Sequence, residues 1–241
     1  GMSLEAYAQS LERFAGRYTE VGMCIGFCLL VKRPVLDRIG ELCEDIDRFF
    51  FEDEDFSMRV QQAGFQCVVA EAAYVRHLEH QSVRRVPERE AVFRRNQRWC
   101  HEKWGKWVRI AWPRFTPLVA GSEELREWLT RVRRLAQRRT HVYVFCPMPA
   151  HLTRDELFRS VGLVPHADVH WHPVSSTTAA WAAMGKILTR QKKRFDIIVA
   201  PEPRWGRTMA SLRWLHRAAL VPEDHHEQLT QLWNAASRSR S

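Results

Sequence analysis

With 241 residues, 45 % of them hydrophobic, and a formal net charge of +9, the chain is long and apolar enough to bury a core, which excludes a disordered polypeptide. No run approaches the ~20 consecutive apolar residues that cross a bilayer, and the opening Gly1-Met2-Ser3-Leu4-Glu5 lacks the basic and apolar regions of a signal peptide. The six cysteines are scattered without a CxxC pair, which speaks against a disulfide framework or structural zinc and predicts a reducing, cytoplasmic setting.

In chain order, residues 4–14 carry apolar side chains at helical spacing, with Gly16 as a stop. VGMCIGFCLLV (21–31) is almost continuously apolar and predicts a strand buried on both faces. Pro34 suits the first turn of a helix over 35–39 that Gly40 closes. The stretch FFFEDEDFSMRVQQAGF (49–65) follows. Phe56, Val60 and Ala63 share one face, which predicts a helix over about 54–63 with Gly64 as its left-handed stop. Strands are predicted at 66–70 and 73–76, then an Arg- and Trp-rich helix at 86–104. Trp112-Pro113 to Gly121-Ser122 breaks any regular period and reads as a linker between domains at 1–111 and 123–241.

Beyond that linker the pattern alternates. A charged helix over 123–138 leads into strands at 142–146, 167–174 and 196–200, with helices at 155–160, 177–190 and 209–219. Such alternation predicts a parallel sheet covered on both faces, a small Rossmann-like α/β unit. Its ligand-binding loops would follow the strand ends, at 147–150, 173–177 and 200–203. No GxGxxG or GxxxxGK[ST] accompanies them, so the role of this unit stays unassigned. His170 and His172 alternate on one strand face with Trp171 opposite, and with His225 and His226 they make a set of imidazoles that could meet at a metal.

The four acids Glu52 to Asp55 fall at a helix N-terminus, where unsatisfied amides and the positive dipole end favour carboxylates; Asp53 suits the N-cap and Asp55 can pair with Arg59. One reading is a well-capped, solvated helix start. The other starts from Phe49-Phe50-Phe51, whose burial would bring the acids to the edge of a cleft, where a fixed carboxylate suits a general base.

Four pieces occur in one order: GFCLLVKR (26–33) with Pro34 and Ile39-Gly40; FEDEDFSMRVQQAGF (51–65); AYVRHLEHQS (73–82); and NQRWCHEKWG (96–105). Together they resemble the second half of the catalytic domain of family 2 glycosyltransferases, inverting enzymes of GT-A fold that use nucleotide-activated sugars. The resemblance implies α/β architecture, with a partial GT-A-like segment ahead of the Rossmann-like unit. It implies Asp53 as the base that deprotonates the acceptor hydroxyl and Glu52 as a residue that helps hold that acceptor. His77, with Asp55, would reach a divalent metal (Mn or Mg) or the diphosphate, His80 being the alternative to His77. Arg59, Ser82 and Trp104 would bind substrate. The implied partners are a nucleotide-sugar and a glycan or lipid-linked acceptor, with at most peripheral membrane contact. The donor-binding strands and Asp-x-Asp that precede this region in the family have no visible counterpart, since Asp45-Ile46-Asp47 does not end a buried strand. A half domain of this kind leaves sheet edges and apolar faces open, which predicts a homodimer or packing against the second unit. The alternatives are a non-catalytic binding or structural module and, from the arginine-rich composition, a basic nucleic-acid-binding protein; the arginines, however, are spread over most helices and do not form one stripe, so no specific nucleic acid is expected.

Overall fold

The computed structural model describes residues 3–46, 49–77, 88–149, 151–200 and 203–238, and it divides into two compact units, Gly1–Gly105 and Lys106–Ser241.

The first unit is mostly helical: α1 (Leu4–Ser10), a 3-10 turn (Glu12–Phe14), α2 (Arg33–Ile39), α3 (Glu52–Gln62) and α4 (Arg89–Trp104). Among the described residues its sheet is one antiparallel pair, β1 (Tyr18–Glu20) with β2 (Val68–Ala70), in the register Thr19 opposite Val69. A small core of Val35, Phe56, Val60 and Cys67 joins α2 and α3. The α3 helix starts at Glu52, two residues earlier than its apolar periodicity predicts, and residues 73–76 are not a strand. Gly64 follows at φ +85°, and a Cβ added there would meet nothing within 4 Å. Gly64→Ala therefore carries a purely conformational cost, expected at about 1–2 kcal/mol in chemical denaturation.

Residues 21–31 correct the sequence reading. They form no strand; Leu30 is 97 % exposed and Ile25 57 %. The β1–β2 pair ends where Val21 N donates to Cys67 O, and from there side chains of α3 bind the backbone in place of a neighbouring strand. Gln61 Nε2 donates to Gly22 O (2.7 Å), Cys24 N to Ser57 Oγ (3.0 Å) and Gly26 N to Asp53 Oδ2 (3.1 Å). Residues 53, 57 and 61 lie one above another on a helix, rising about 6 Å per step, and two extended residues span about 6.6 Å. The chain thus runs antiparallel along α3 with alternate residues tied down, which consumes the hydrogen bonds that a sheet would have used.

The second unit is α/β. Its strands are β3 (Val108–Pro113), β4 (Thr140–Cys146), β5 (Val169–Pro173), β6 (Ile197–Ala200) and β7 (Ala219–Pro222), all parallel in the order β5-β4-β3-β6-β7. The first strand is central, the next two step outward on one side, and the last two lie on the other, the doubly wound pattern of a Rossmann-like sheet. On one face α5 (Glu123–Ala136), α6 (Arg154–Ser160) and α10 (His226–Arg238) bury Leu125, Trp128, Phe158 and Leu229 against Trp112, Val142 and Val144. On the other, α7 (Thr177–Thr189), α8 (Pro203–Ser211) and α9 (Arg213–His216) cover Ala111, Phe145 and Ile198 with Met184, Ile187 and Met209. The α6 start is a capping box of Thr153 and Glu156, and Ser176 Oγ accepts from Ala179 N at the start of α7, so Ser176 caps that helix.

The division between units falls at residue 105, ahead of the segment read as a linker. Trp112 and Pro113 end the central strand, and Trp112 is fully buried. Pro113 is tolerated because it is the last strand residue, with Arg114 N supplying the next bond to Phe145 O. Ala219, read as the last residue of a helix over 209–219, instead opens the edge strand β7, whose remaining residues 220–222 had no element assigned from the sequence. Among the described residues, no helix is long and apolar enough to cross a membrane.

Candidate functional site

The first unit concentrates its polar chemistry at the start of α3. The approach to the helix is strained: Phe50 and Phe51 both adopt left-handed conformations, φ +69° and +75°. For a bulky residue each costs on the order of 1–2 kcal/mol, and such strain persists only where the surroundings hold it. Here α4 holds it. The buried Asn96 amide donates to Phe49 O (2.7 Å) and Phe50 O (3.3 Å), and the Phe93 ring packs 5.3 Å from Phe50 and 5.2 Å from Phe51. The phenylalanines are half-buried, so they act as a braced turn and not as core.

Phe51 occupies the N-cap position, which corrects the assignment of that place to Asp53. Asp53 sits one residue inside the helix, half-buried, its Oδ1 accepting from Glu54 N (2.8 Å) and its Oδ2 from Gly26 N (3.1 Å). A carboxylate oxygen has a second lone pair, so both oxygens can still accept a proton or a hydroxyl hydrogen. Glu52 precedes it, with a buried Oε2 that has no hydrogen-bond partner among the described residues. Burial pushes the Glu52 carboxyl up against the lowering effect of its backbone amide, and the Asp53 charge adds to the rise. Two adjacent carboxyls thus occupy unlike environments, one held by amides and one desolvated.

Asp55 is fully buried and engaged on both oxygens. Lys103 Nζ (2.8 Å) and Trp104 Nε1 (2.8 Å) meet Oδ1, and Arg59 Nε (2.9 Å) meets Oδ2. Burial would raise this carboxyl, but the hydrogen bonds from Lys103, Arg59 and Trp104, with the Lys103 charge, outweigh it and lower its pKa. Arg59 Nη1 donates to Ile39 O and Nη2 to Glu41 O, 2.8 Å each. Asp55, Arg59 and Trp104, expected at the metal and the substrate, together form a buried ionic anchor that ties α3 to α4 and to the end of α2 and the chain after it.

His77 is exposed and stacks on Phe27, ring centres 4.5 Å apart and 19° between planes. Ser82 and His80 lie outside the described residues. Among the described residues His77 and Asp55 are not grouped with a third metal-ligating side chain, and with Asp55 fully buried and already holding three donors the residues named for Mn or Mg do not fit such an ion. Among the described residues the group of His, Cys, Asp and Glu that could hold a metal lies in the second unit, at His141, Asp168 and His170. His170 and His172 do share a strand face, with Trp171 turned to the opposite core, whereas His225 is 57 % exposed beside Asp224.

In the Rossmann-like sheet the strand order reverses between β3 and β6, so the loop after β3 lies at the switch point. Arg114 begins it and is tied to Glu223, beyond β7, at 2.8 Å and to Glu124 on α5. This loop went unrecognised in the sequence because its prolines read as linker; the alternation of Val108, Ile110 and Trp112 was the available signal. Comparison of the chain with family models, with curated proteins and with solved structures finds no match.

Proposed function

We propose that the first unit is the acceptor side of a glycosyltransferase-like site, partial GT-A in character, in which Asp53 is the base for transfer of a sugar from a nucleotide-sugar donor with inversion. One observation carries this reading: the sequence pieces that resemble family 2 glycosyltransferases converge on the start of α3. Gly26 binds Asp53, His77 stacks on Phe27, Asn96 holds the carbonyls of Phe49 and Phe50, and Lys103 and Trp104 anchor Asp55.

Asp53 would take the acceptor hydroxyl proton on a carboxylate oxygen as that hydroxyl attacks the anomeric carbon, which inverts it. Glu52, whose carboxyl burial pushes upward, lies next to Asp53 in the chain and would help to hold that acceptor. The braced, strained turn fixes both carboxyls before substrate arrives, so the site does not pay for ordering them during reaction.

The test is release of nucleoside diphosphate from UDP- and GDP-sugars offered with glycan and lipid-linked acceptors, manganese present. Asp53→Asn is expected to lower release by about 100-fold or more, within the range of a general base. Gln61→Ala, which removes a different bond between α3 and residues 22–26, separates catalysis from support and is expected to retain release. No turnover with any donor, or an Asp53→Asn protein as active as the parent, overturns the assignment.

A further inference from the structure

The amino edge of the parallel sheet carries a side-chain group that the glycosyl-transfer reading does not use. His141 is the second residue of β4, Asp168 immediately precedes β5, and His170 is the second residue of β5. The parallel register sets Val142 beside Val169 and Tyr143 beside His170, so His141, Asp168 and His170 emerge on one face. His141 Nδ1 lies 3.2 Å from Asp168 Oδ1 and 3.3 Å from His170 Nε2, and one ligand atom from each of the three lies within 4.8 Å of the others.

Those separations are hard to explain with protons alone. A carboxylate only accepts, and an imidazole nitrogen carries at most one proton. If His141 Nδ1 bears a hydrogen, it has two lone pairs to serve, Asp168 Oδ1 and His170 Nε2. If His170 Nε2 bears it instead, the lone pair of His141 Nδ1 faces a carboxylate oxygen. Either way a single proton must be shared between the two contacts or leave one without, whereas one cation between the three would meet all three of these atoms. The two short distances also match the edge of a zinc tetrahedron: bonds of about 2.0–2.1 Å place neighbouring ligand atoms about 3.3–3.4 Å apart.

The surroundings hold the ligands in place and leave access. Trp107 stacks on His141 at 4.9 Å and 22°, and Tyr143 lies against His170 at 4.6 Å and 31°, which restricts both rings. Asp168 N donates to His166 Nδ1 (3.2 Å), fixing the turn that presents the carboxylate. The His141 and Asp168 side chains remain 27 % and 17 % exposed, so an ion has a path in.

We propose that His141, Asp168 and His170 bind one divalent transition-metal ion of the zinc class through two imidazole nitrogens and one carboxylate oxygen, with the remaining position open to water. Imidazole ligands select zinc, cobalt, nickel or copper over magnesium and calcium, which prefer oxygen throughout. Three protein ligands with one open position is the arrangement of reactive zinc sites, in contrast to closed structural ones.

The full chain, stripped with chelator, is titrated with cobalt(II), read by its visible ligand-field absorption, and with zinc, read by calorimetry. One equivalent per chain is expected, with the intense absorption of four-coordinate cobalt. Asp168→Asn and His170→Gln, both close in shape to the parent, are each expected to weaken binding at least about tenfold. His172→Ala, on the same strand face but outside the group, is expected to bind as the parent does. Far-ultraviolet circular dichroism confirms that each variant is folded. Absence of stoichiometric binding, equal affinity in Asp168→Asn and His170→Gln, or an equal loss in His172→Ala overturns the site.

Discussion

Asp55→Asn is expected to destabilise the first unit by about 3–5 kcal/mol, the range for removing one partner from a buried ionic cluster. The carboxylate is fully buried and meets an ammonium, a guanidinium and an indole N–H. Asparagine has nearly the same shape but no charge and an NH2 that can accept nothing, so Lys103 and Arg59 lose compensation while Arg59 still holds Ile39 O and Glu41 O. Hydrogen exchange resolved by segment is the measurement: protection should fall across α3 and α4. Uniformly parental protection there would refute the anchor. Acid supplies an independent check. Because the Asp55 pKa is lowered on folding, its contribution is fully present above the unfolded carboxyl value of about 4 and is lost as pH falls through the folded value. Acid opening of α3 should therefore be steeper in the parent than in Asp55→Asn. Glu52, raised by burial, works in the opposite sense: its contribution is present below the unfolded value and is lost as pH rises through the folded one.

The difference between what could and could not be read from the sequence follows from the range of the interactions. α3 and its glycine stop rest on local periodicity, and so do β4, β5 and β6, so these elements were legible. Residues 21–31 were not, because apolar composition predicts burial, while the bonds that set their path come from Asp53, Ser57 and Gln61, a polar row with helical spacing on an element some thirty residues away. The i,i+4 pairing of Asp55 with Arg59 was legible; its burial was not, since Lys103 and Trp104 approach only after α4 folds back. The same limit hid His141. THVYVF and DVHWHP each place a histidine near a strand start, but only the parallel pairing of β4 and β5 makes those positions neighbours. The converging sequence pieces of the first unit and the His-Asp-His group of the second are thus both products of tertiary register, and a motif scan along the chain meets their parts separately.

Trp128→Ala is expected to cost the second unit about 3–5 kcal/mol, because a fully buried indole leaves a cavity that a stiff parallel sheet cannot close. The ring stands edge-on to Trp112 of β3 at 6.0 Å and 81°, and to Trp171 of β5 at 5.8 Å and 87°. Each such pair contributes about 0.5–1.5 kcal/mol beyond the area it buries. Trp128→Phe preserves an aromatic edge, and the indole N–H it removes has no hydrogen-bond partner among the described residues, so its cost should be under half that of the alanine variant. Guanidinium unfolding of both proteins checks the ratio; equal costs would mean that the aromatic contacts contribute little. The consequences reach both edges of the sheet. Arg114 lies 5.7 Å over the Trp128 ring while it holds Glu223 and Glu124, so the alanine variant should loosen the carboxyl end at the switch point. Trp171 shares its strand with His170 but packs into the core on the other side, so a shift of β5 moves an imidazole of the proposed metal group. In cobalt-loaded protein the ligand-field absorption should therefore change in Trp128→Ala and stay near the parental form in Trp128→Phe, which ties packing on one face of the sheet to chemistry on the other.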